Sequence, residues 1–202
     1  MTNASSPWHS LRSYGSSAGP LRSLDAAAVV LRRAGQAPEL QLRYRLQGLE
    51  GLQLPEPSRA ASRRDELWQH TCFEAFVGTP DQQAYWEFNL SPSGDWAVYR
   101  FSGYRQGQQQ EVCYATLPFD LDPDPRLAVT QLPQPALQAL ELSCCVQLPP
   151  GLAGARQLRI GLTAVLESDL SASNGGCLSY WALAHPGPQA DFHDRRGWTL
   201  LL

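Results

Sequence analysis

Residues 72–101, CFEAFVGTPDQQAYWEFNLSPSGDWAVYRF, hold three short aromatic-rich runs separated by two turn clusters, GTPDQQ and SPSGD. Side chains on a strand alternate faces, so each run divides into two sets. Phe73, Ala75, Val77, Trp86, Phe88, Leu90, Trp96 and Val98 fall on one face, which is almost purely apolar. Cys72, Glu74, Phe76, Tyr85, Glu87, Asn89, Ala97, Tyr99 and Phe101 fall on the other. A one-residue slip would turn the apolar set outward, so the faces are better determined than the turn lengths. With the turns closed as written, Val77 pairs with Ala84 and Leu90 with Trp96. Glu74 then lies directly opposite Glu87, and Cys72 opposite Asn89. A two-residue slip would make the two carboxylates diagonal instead.

The rest of the chain has the same grammar. In LQLRYRLQ (40–47), Leu40, Leu42, Tyr44 and Leu46 alternate with polar residues, and with AAAVVLRR (26–33) this predicts a half-exposed hairpin. Further strands are predicted at 111–118, 127–132, 140–148, 158–167 and 177–185, with a helical turn or two in PQPALQALELS (133–143). The charged, turn-rich segment 49–66 reads as a long loop or crossover. Sixteen prolines and sixteen glycines punctuate the chain at the spacing of a sandwich or barrel. The expectation is all-β: a two-sheet antiparallel β-sandwich in a single domain over residues 21–202. Residues 1–20, rich in Ser and Gly, are expected to form a mobile or loosely draped arm.

Composition excludes several functions. The net charge of −3 argues against nucleic acid as partner. All sixteen basic residues are arginine, which removes a Schiff-base or P-loop lysine. Five cysteines without CxxC spacing read as small buried hydrophobes rather than a metal finger or redox pair. With no signal-peptide pattern and no apolar run of membrane-spanning length, a cytoplasmic protein without membrane contact is expected.

Chemistry concentrates on the Glu74/Glu87 face. Like charges across a ladder repel, by about 0.2–1 kcal/mol when solvated and more when shielded. Three remedies are open: an arginine (Arg100, Arg105 or Arg43) folds over the pair; a shared proton or a cation such as calcium neutralises it; or the face is a ligand platform. Carboxylate and amide acceptors among Tyr and Phe rings suit a sugar, which needs hydrogen bonds to its hydroxyls and an apolar surface to lie on. A retaining glycosidase also uses paired carboxylates, but they must flank a bond in a cleft, which one flat ladder does not ensure.

LWQHTCFEAF (67–76) followed by AYWEFNLSPSGDWAVYRF (84–101) resembles the signature of bacterial DOMON-like proteins, related in fold to family-9 carbohydrate-binding modules. YWALAHPGPQADFHDRRGW (180–198) is similar to the closing segment of stand-alone members. The resemblance implies a β-sandwich and non-catalytic recognition of a mono- or oligosaccharide through Trp68, Glu74, Glu87, Asn89, Arg100 and Trp181. Where relatives often have an acidic residue three positions before the first glutamate, this chain has Thr71. Haem-binding relatives use Met with His or Lys. Here the only methionine is Met1 and lysine is absent, so Met-ligated haem is not expected, and bis-histidine ligation by His70, His185 or His193 has no attachment motif behind it.

On the residues alone, Tyr85, Tyr99 and Arg105 join the expected ligand face, and His185 ends a strand that could border it. Asp191, His193 and Asp194 could contribute to a metal site, but their spacing fits a solvated loop better. The second expectation is a protein-interaction or scaffold module, in which this aromatic face packs on a partner or a second copy. A groove open to water would favour the ligand; cover by residues 49–66 would favour a structural role.

Overall fold

The computed structural model describes residues 6–15, 21, 23–49, 51–58, 60–111, 139–169 and 177–202. In chain order the elements are β1 (His9–Ser10), β2 (Arg12–Ser13), β3 (Ser23–Leu31), β4 (Glu39–Gln47), β5 (Leu52–Gln53), a 3-10 turn (Leu67–Gln69), β6 (Cys72–Gly78), β7 (Tyr85–Leu90), β8 (Trp96–Phe101), β9 (Gln109–Gln110), β10 (Ala139–Gln147), a helical turn (Pro150–Ala153), β11 (Arg159–Ser168), β12 (Cys177–Ala182), a second 3-10 turn (Arg195–Gly197) and β13 (Leu200–Leu201). They form two antiparallel sheets. The smaller has the order β1-β3-β4-β10; the larger runs β2-β12-β11-β6-β7-β8-β9, with β5 and β13 also paired to β11. The architecture is a β-sandwich, as the alternation predicts.

The core lies between the sheets. Leu40, Leu42, Tyr44 and Leu46 of β4 meet Phe73, Ala75 and Val77 of β6, together with Trp86, Phe88 and Val98. The Tyr44 ring lies 5.0 Å from that of Phe73, and its hydroxyl donates to the Glu74 carbonyl at 2.6 Å. Burying an aromatic inside while giving its hydroxyl a partner keeps the apolar gain without an orphaned polar group.

Three expectations change. The first hairpin is shifted by two residues: Val77 pairs with Trp86, so Glu74 faces Asn89 and Glu87 faces Phe76. The second hairpin has Leu90 opposite Trp96, as read from the sequence. The shift arises because β6 continues through Gly78 and the loop after it is gripped from a distance. Arg195 donates to the carbonyls of Thr79 and Gln82, a contact that no local turn rule contains. Second, the N-terminal segment is not loosely draped over its described part. β1 pairs with β3 in one sheet and β2 with β12 in the other, and Leu11 between them is buried in the core. Third, where the strand predicted at 140–148 and the helical turn allowed within 133–143 overlap, the strand prevails: residues 139–143 belong to β10. Of the strands expected at 111–118 and 127–132, all but residue 111 lie outside the described residues.

The segment before β6 covers the outer face of the larger sheet only at one edge: Asp65 accepts from the Tyr99 hydroxyl, and the Arg63 guanidinium lies 5.4 Å from that ring. It carries β5 and then runs beside the start of β8, where Arg63 bridges Trp96 and Asp95 accepts from Ser58 and Ser62. Among the described residues no helix is long and apolar enough to cross a membrane.

Candidate functional site

The outer face of the larger sheet has the parity set Phe76, Tyr85, Ala97, Tyr99 and Phe101, too apolar to be left in water. It forms a second core beneath Trp198, with Leu67 and Phe192 packed against it. Tyr85 stacks on Phe101 at 4.8 Å and 6°, and Trp198 stacks on Phe76 at 5.9 Å. Trp198 approaches the sheet over Gly161 of β11, where a Cβ would lie 2.4 Å from its Cδ1. The Trp198 indole N–H donates to the Phe192 carbonyl at 2.8 Å, which fixes the loop leading into residues 190–194.

That loop covers only part of the face. Beside it opens a cavity of about 420 Å³. Its floor is Glu74 and Phe76 from β6, Glu87 from β7, Tyr99 and Phe101 from β8, with Val165 and Tyr180 from β11 and β12. Trp68 stands on one side, Arg105 and Gln108 on another, and Phe192 and His193 on the loop side. Asp191 ties the surrounding loops together. It accepts from the Arg105 guanidinium at 2.9 Å, from the Tyr104 hydroxyl at 2.6 Å and from the His193 backbone N–H at 3.1 Å.

Both glutamates are buried, Glu74 at 2% and Glu87 at 7% exposure, and both line the cavity. Asn89 donates its amide to Glu87 Oε1 at 2.7 Å, and Thr163 donates its hydroxyl to Glu74 Oε2 at 3.2 Å. No arginine neutralises either carboxyl among the described residues. Arg105 is paired to Asp191, Arg43 to Glu141, and Arg100 lies over the Trp86 ring on the opposite face. Both carboxyls are held toward their neutral form. Burial, then the field of Glu87, holds the Glu74 carboxyl well above the usual range, against the Thr163 hydrogen bond. Burial pushes Glu87 up to about 7, opposed by the Asn89 hydrogen bond and the field of Arg105.

His193 is oriented by a short chain of donors. The Arg105 backbone N–H donates to the Tyr85 oxygen at 3.3 Å, and the Tyr85 hydroxyl lies 2.6 Å from His193 Nδ1. Among the described residues the acceptor within reach of the Tyr85 proton is that ring nitrogen, so Nδ1 accepts and Nε2 carries the hydrogen. Nε2 points toward Glu87 Oε2, 3.7 Å away. Burial and the Arg105 charge push the imidazole down to about 4, so it is neutral at pH 7.

Of the residues expected from the sequence, Trp68, Glu74, Glu87, Tyr99 and Arg105 meet at the cavity. Tyr85 and Asn89 lie just behind them on the same face and orient His193 and Glu87. Three do not join. Arg100 has the parity of Trp96 and Val98, so it leaves the sheet on the inner side. Trp181 is opposite Ala164 and is buried in the inter-sheet core, its indole N–H donating to the Ser179 hydroxyl. His185 packs against Tyr14 and hydrogen-bonds the Arg12 carbonyl; its ring lies 6.4 Å from that of Phe192, so it borders the lining without entering it. Thr71 ties strands together instead, donating to the Gln53 carbonyl and accepting from the Glu167 N–H.

His193 and Phe192 were within a loop expected to be solvated. The missed signal was the outer parity set itself, whose rings require a cover, and ADFHDRRGW carries the aromatic side chains to provide one. Asp194 turns away and accepts from the Arg196 N–H. Among the described residues no group of three or more His, Cys, Asp and Glu is gathered as metal ligands. The three candidate haem histidines each have a separate protein partner: Glu167 for His70, the Arg12 carbonyl for His185, and Tyr85 for His193.

No known protein family matches the chain by sequence, and no curated protein matches it. In fold it is similar to a solved protein of Bacteroides uniformis ATCC 8492 described as a "putative carbohydrate-binding protein". The two are 11% identical, with a TM-score of 0.57, over 96% of this chain and 84% of that one.

Proposed function

We propose that the outer cavity binds a mono- or short oligosaccharide and that the protein acts by recognition, without catalysing a change in its ligand. One observation carries this reading: two buried carboxyl groups and a ring of aromatic side chains open on a single cavity of about 420 Å³. That volume falls within the roughly 300–1,000 Å³ of small-molecule sites. Trp68, Tyr180 and Phe192, the rings of the lining that are not buried, offer faces for the apolar side of a sugar ring. Glu87 accepts hydroxyl protons, and a protonated Glu74 can donate. Both carboxyls rise from neighbouring strands of the floor, on the same side of a ligand. That arrangement suits holding hydroxyls better than attacking a glycosidic bond from two sides.

Further support comes from the carbohydrate-binding description of the structural neighbour and from the DOMON-like and family-9 resemblance, whose quoted segments supply most of the lining. Residues 49–66 touch this face at Tyr99, but none of them lines the cavity, which favours a small ligand over a structural face. The exposed Trp68 and Tyr104 are the observation on which a protein-interaction module would rest.

The test is a thermal-shift screen against mono- and oligosaccharides, with calcium and with EDTA. A saccharide is expected to raise the melting temperature with concentration, by about 2.7 kcal/mol of stabilisation at one hundred times its Kd. Glu87→Gln, which retains an acceptor for Asn89, should abolish the shift while leaving the ligand-free protein folded. A shift produced by calcium alone would reassign the carboxyls to a metal site. No shift with any sugar would sink the reading and turn attention to protein partners.

A further inference from the structure

We infer that Glu74 and Glu87 form the seat for an organic ammonium group, so that on the saccharide reading above the ligand is an amino sugar with a free amine. Two carboxyl groups are buried in this cavity without a cation of their own. Glu87 Oε1 is occupied by Asn89, but Oε2 has only the His193 Nε2 at 3.7 Å, beyond hydrogen-bond reach. Glu74 Oε2 accepts one hydroxyl, and its Oε1 receives no hydrogen bond among the described residues. The nearest guanidinium, that of Arg105, is held by Asp191. A neutral sugar would leave protons alone to neutralise the buried pair, whereas an ammonium supplies the positive charge that lets shielded carboxyls ionise.

The surroundings select the kind of cation. A calcium ion takes six to eight oxygen ligands, whereas the walls here are Phe76, Tyr99, Phe101 and Phe192. Aromatic faces beside carboxylates are what an alkylammonium needs: the ring quadrupole attracts the positive charge, and the rings cover the carbon skeleton that carries it. The register gives the spacing. Glu74 pairs with Asn89 and Phe76 with Glu87, so the carboxylates are diagonal neighbours. Diagonal positions on a ladder lie roughly 7–8 Å apart, close enough for two extended Glu side chains to meet one ammonium between them. Directly opposed glutamates would leave less room.

Isothermal titration of the full chain with matched sets tests this. Each set contains an amine (glucosamine, galactosamine or mannosamine), its N-acetyl form and its parent hexose, and choline serves as a non-sugar amine. In at least one set the free amine is expected to bind about tenfold tighter than both neutral partners. Glu74→Gln and Glu87→Gln should each remove most of that preference, with melting temperatures recorded to show that both variants are folded. Equal or tighter binding of the neutral sugars overturns the ammonium seat but leaves the saccharide reading standing. Binding of choline with no response to any sugar upholds the seat and overturns the saccharide reading. Failure of every amine to bind, or a preference that survives both substitutions, overturns the inference.

Discussion

Trp198→Ala is expected to cost about 3–5 kcal/mol of stability and to abolish ligand-induced stabilisation. The side chain is 1% exposed and holds the C-terminal segment against the sheet by three means. It stacks on Phe76, meets Tyr85 edge-on at 5.2 Å and lies under the Arg195 guanidinium. Its indole N–H also anchors Phe192. Removal would leave a void beneath the loop that bears Phe192 and His193. The same contact can be challenged from below. Gly161→Ala puts a methyl into the indole and is expected to cost about 1–3 kcal/mol by overpacking. In the Trp198→Ala background that methyl faces empty space, so its cost should largely vanish. Denaturant titration of the four proteins would measure the coupling. Costs that add to within about 0.3–0.5 kcal/mol would show that the two residues do not meet.

Stability should also fall as the solution becomes alkaline, and Glu87→Gln should flatten that fall. Glu87 has a folded pKa of about 7 against an ordinary 4.5, and Glu74 is displaced in the same direction. The folded chain therefore retains protons that the unfolded chain releases above 4.5, and stability drops as pH rises from there through 7. His193 acts oppositely. Its pKa of about 4, against 6.5, means that the unfolded chain takes up a proton the folded chain refuses, so its contribution is lost as pH falls from 6.5 toward 4. Between 4.5 and 6.5 the two slopes oppose each other. Above 6.5 the carboxyls govern the slope until the buried thiols of Cys72 and Cys144, both held above their ordinary range, add to the fall near pH 9. Above 6.5 Glu87→Gln should therefore melt higher than the parent, by roughly 2–4 °C per kcal/mol recovered. Melting curves from pH 5 to 9 would check this; a variant as steep as the parent above 6.5 would mean that Glu87 is ionised throughout. Burial, then Asn89 and Arg105, set the shift of Glu87, and the titratable groups around it are Glu74, His193, Tyr85, Tyr99 and Cys72.

The faces of β6, β7 and β8 were legible because alternation is a local property: Phe73, Trp86 and Phe88 could point only one way if their polar neighbours pointed the other. The register of the first hairpin was not, because Arg195, far along the chain, sets where its loop closes. The same distinction divides the site. Glu74, Glu87 and Tyr99 share a parity on adjacent strands and could be grouped by counting. Arg100 failed by that same parity, since it belongs with Val98 and not with Tyr99. Phe192 and His193 sit on a loop with no periodicity, and only the need to shelter Phe76, Tyr85 and Phe101 signals their place. Trp181 shows the converse: a tryptophan inside a recognisable motif can serve the core alone.

The floor of the cavity and its far wall come from distant parts of the chain, and β11 enters between β12 and β6, out of sequence order. During synthesis the strands bearing Glu74, Glu87 and Tyr99 leave the ribosome well before the segment that carries Phe192, His193 and Trp198. Until that segment arrives, Phe76, Tyr85 and Phe101 form a bare aromatic surface on a nascent sheet. Closing such long-range contacts is slow, which lengthens the exposure. The cavity is thus among the last parts of the molecule to mature, and the interval before its completion is when a newly made chain is most in need of protection from its neighbours.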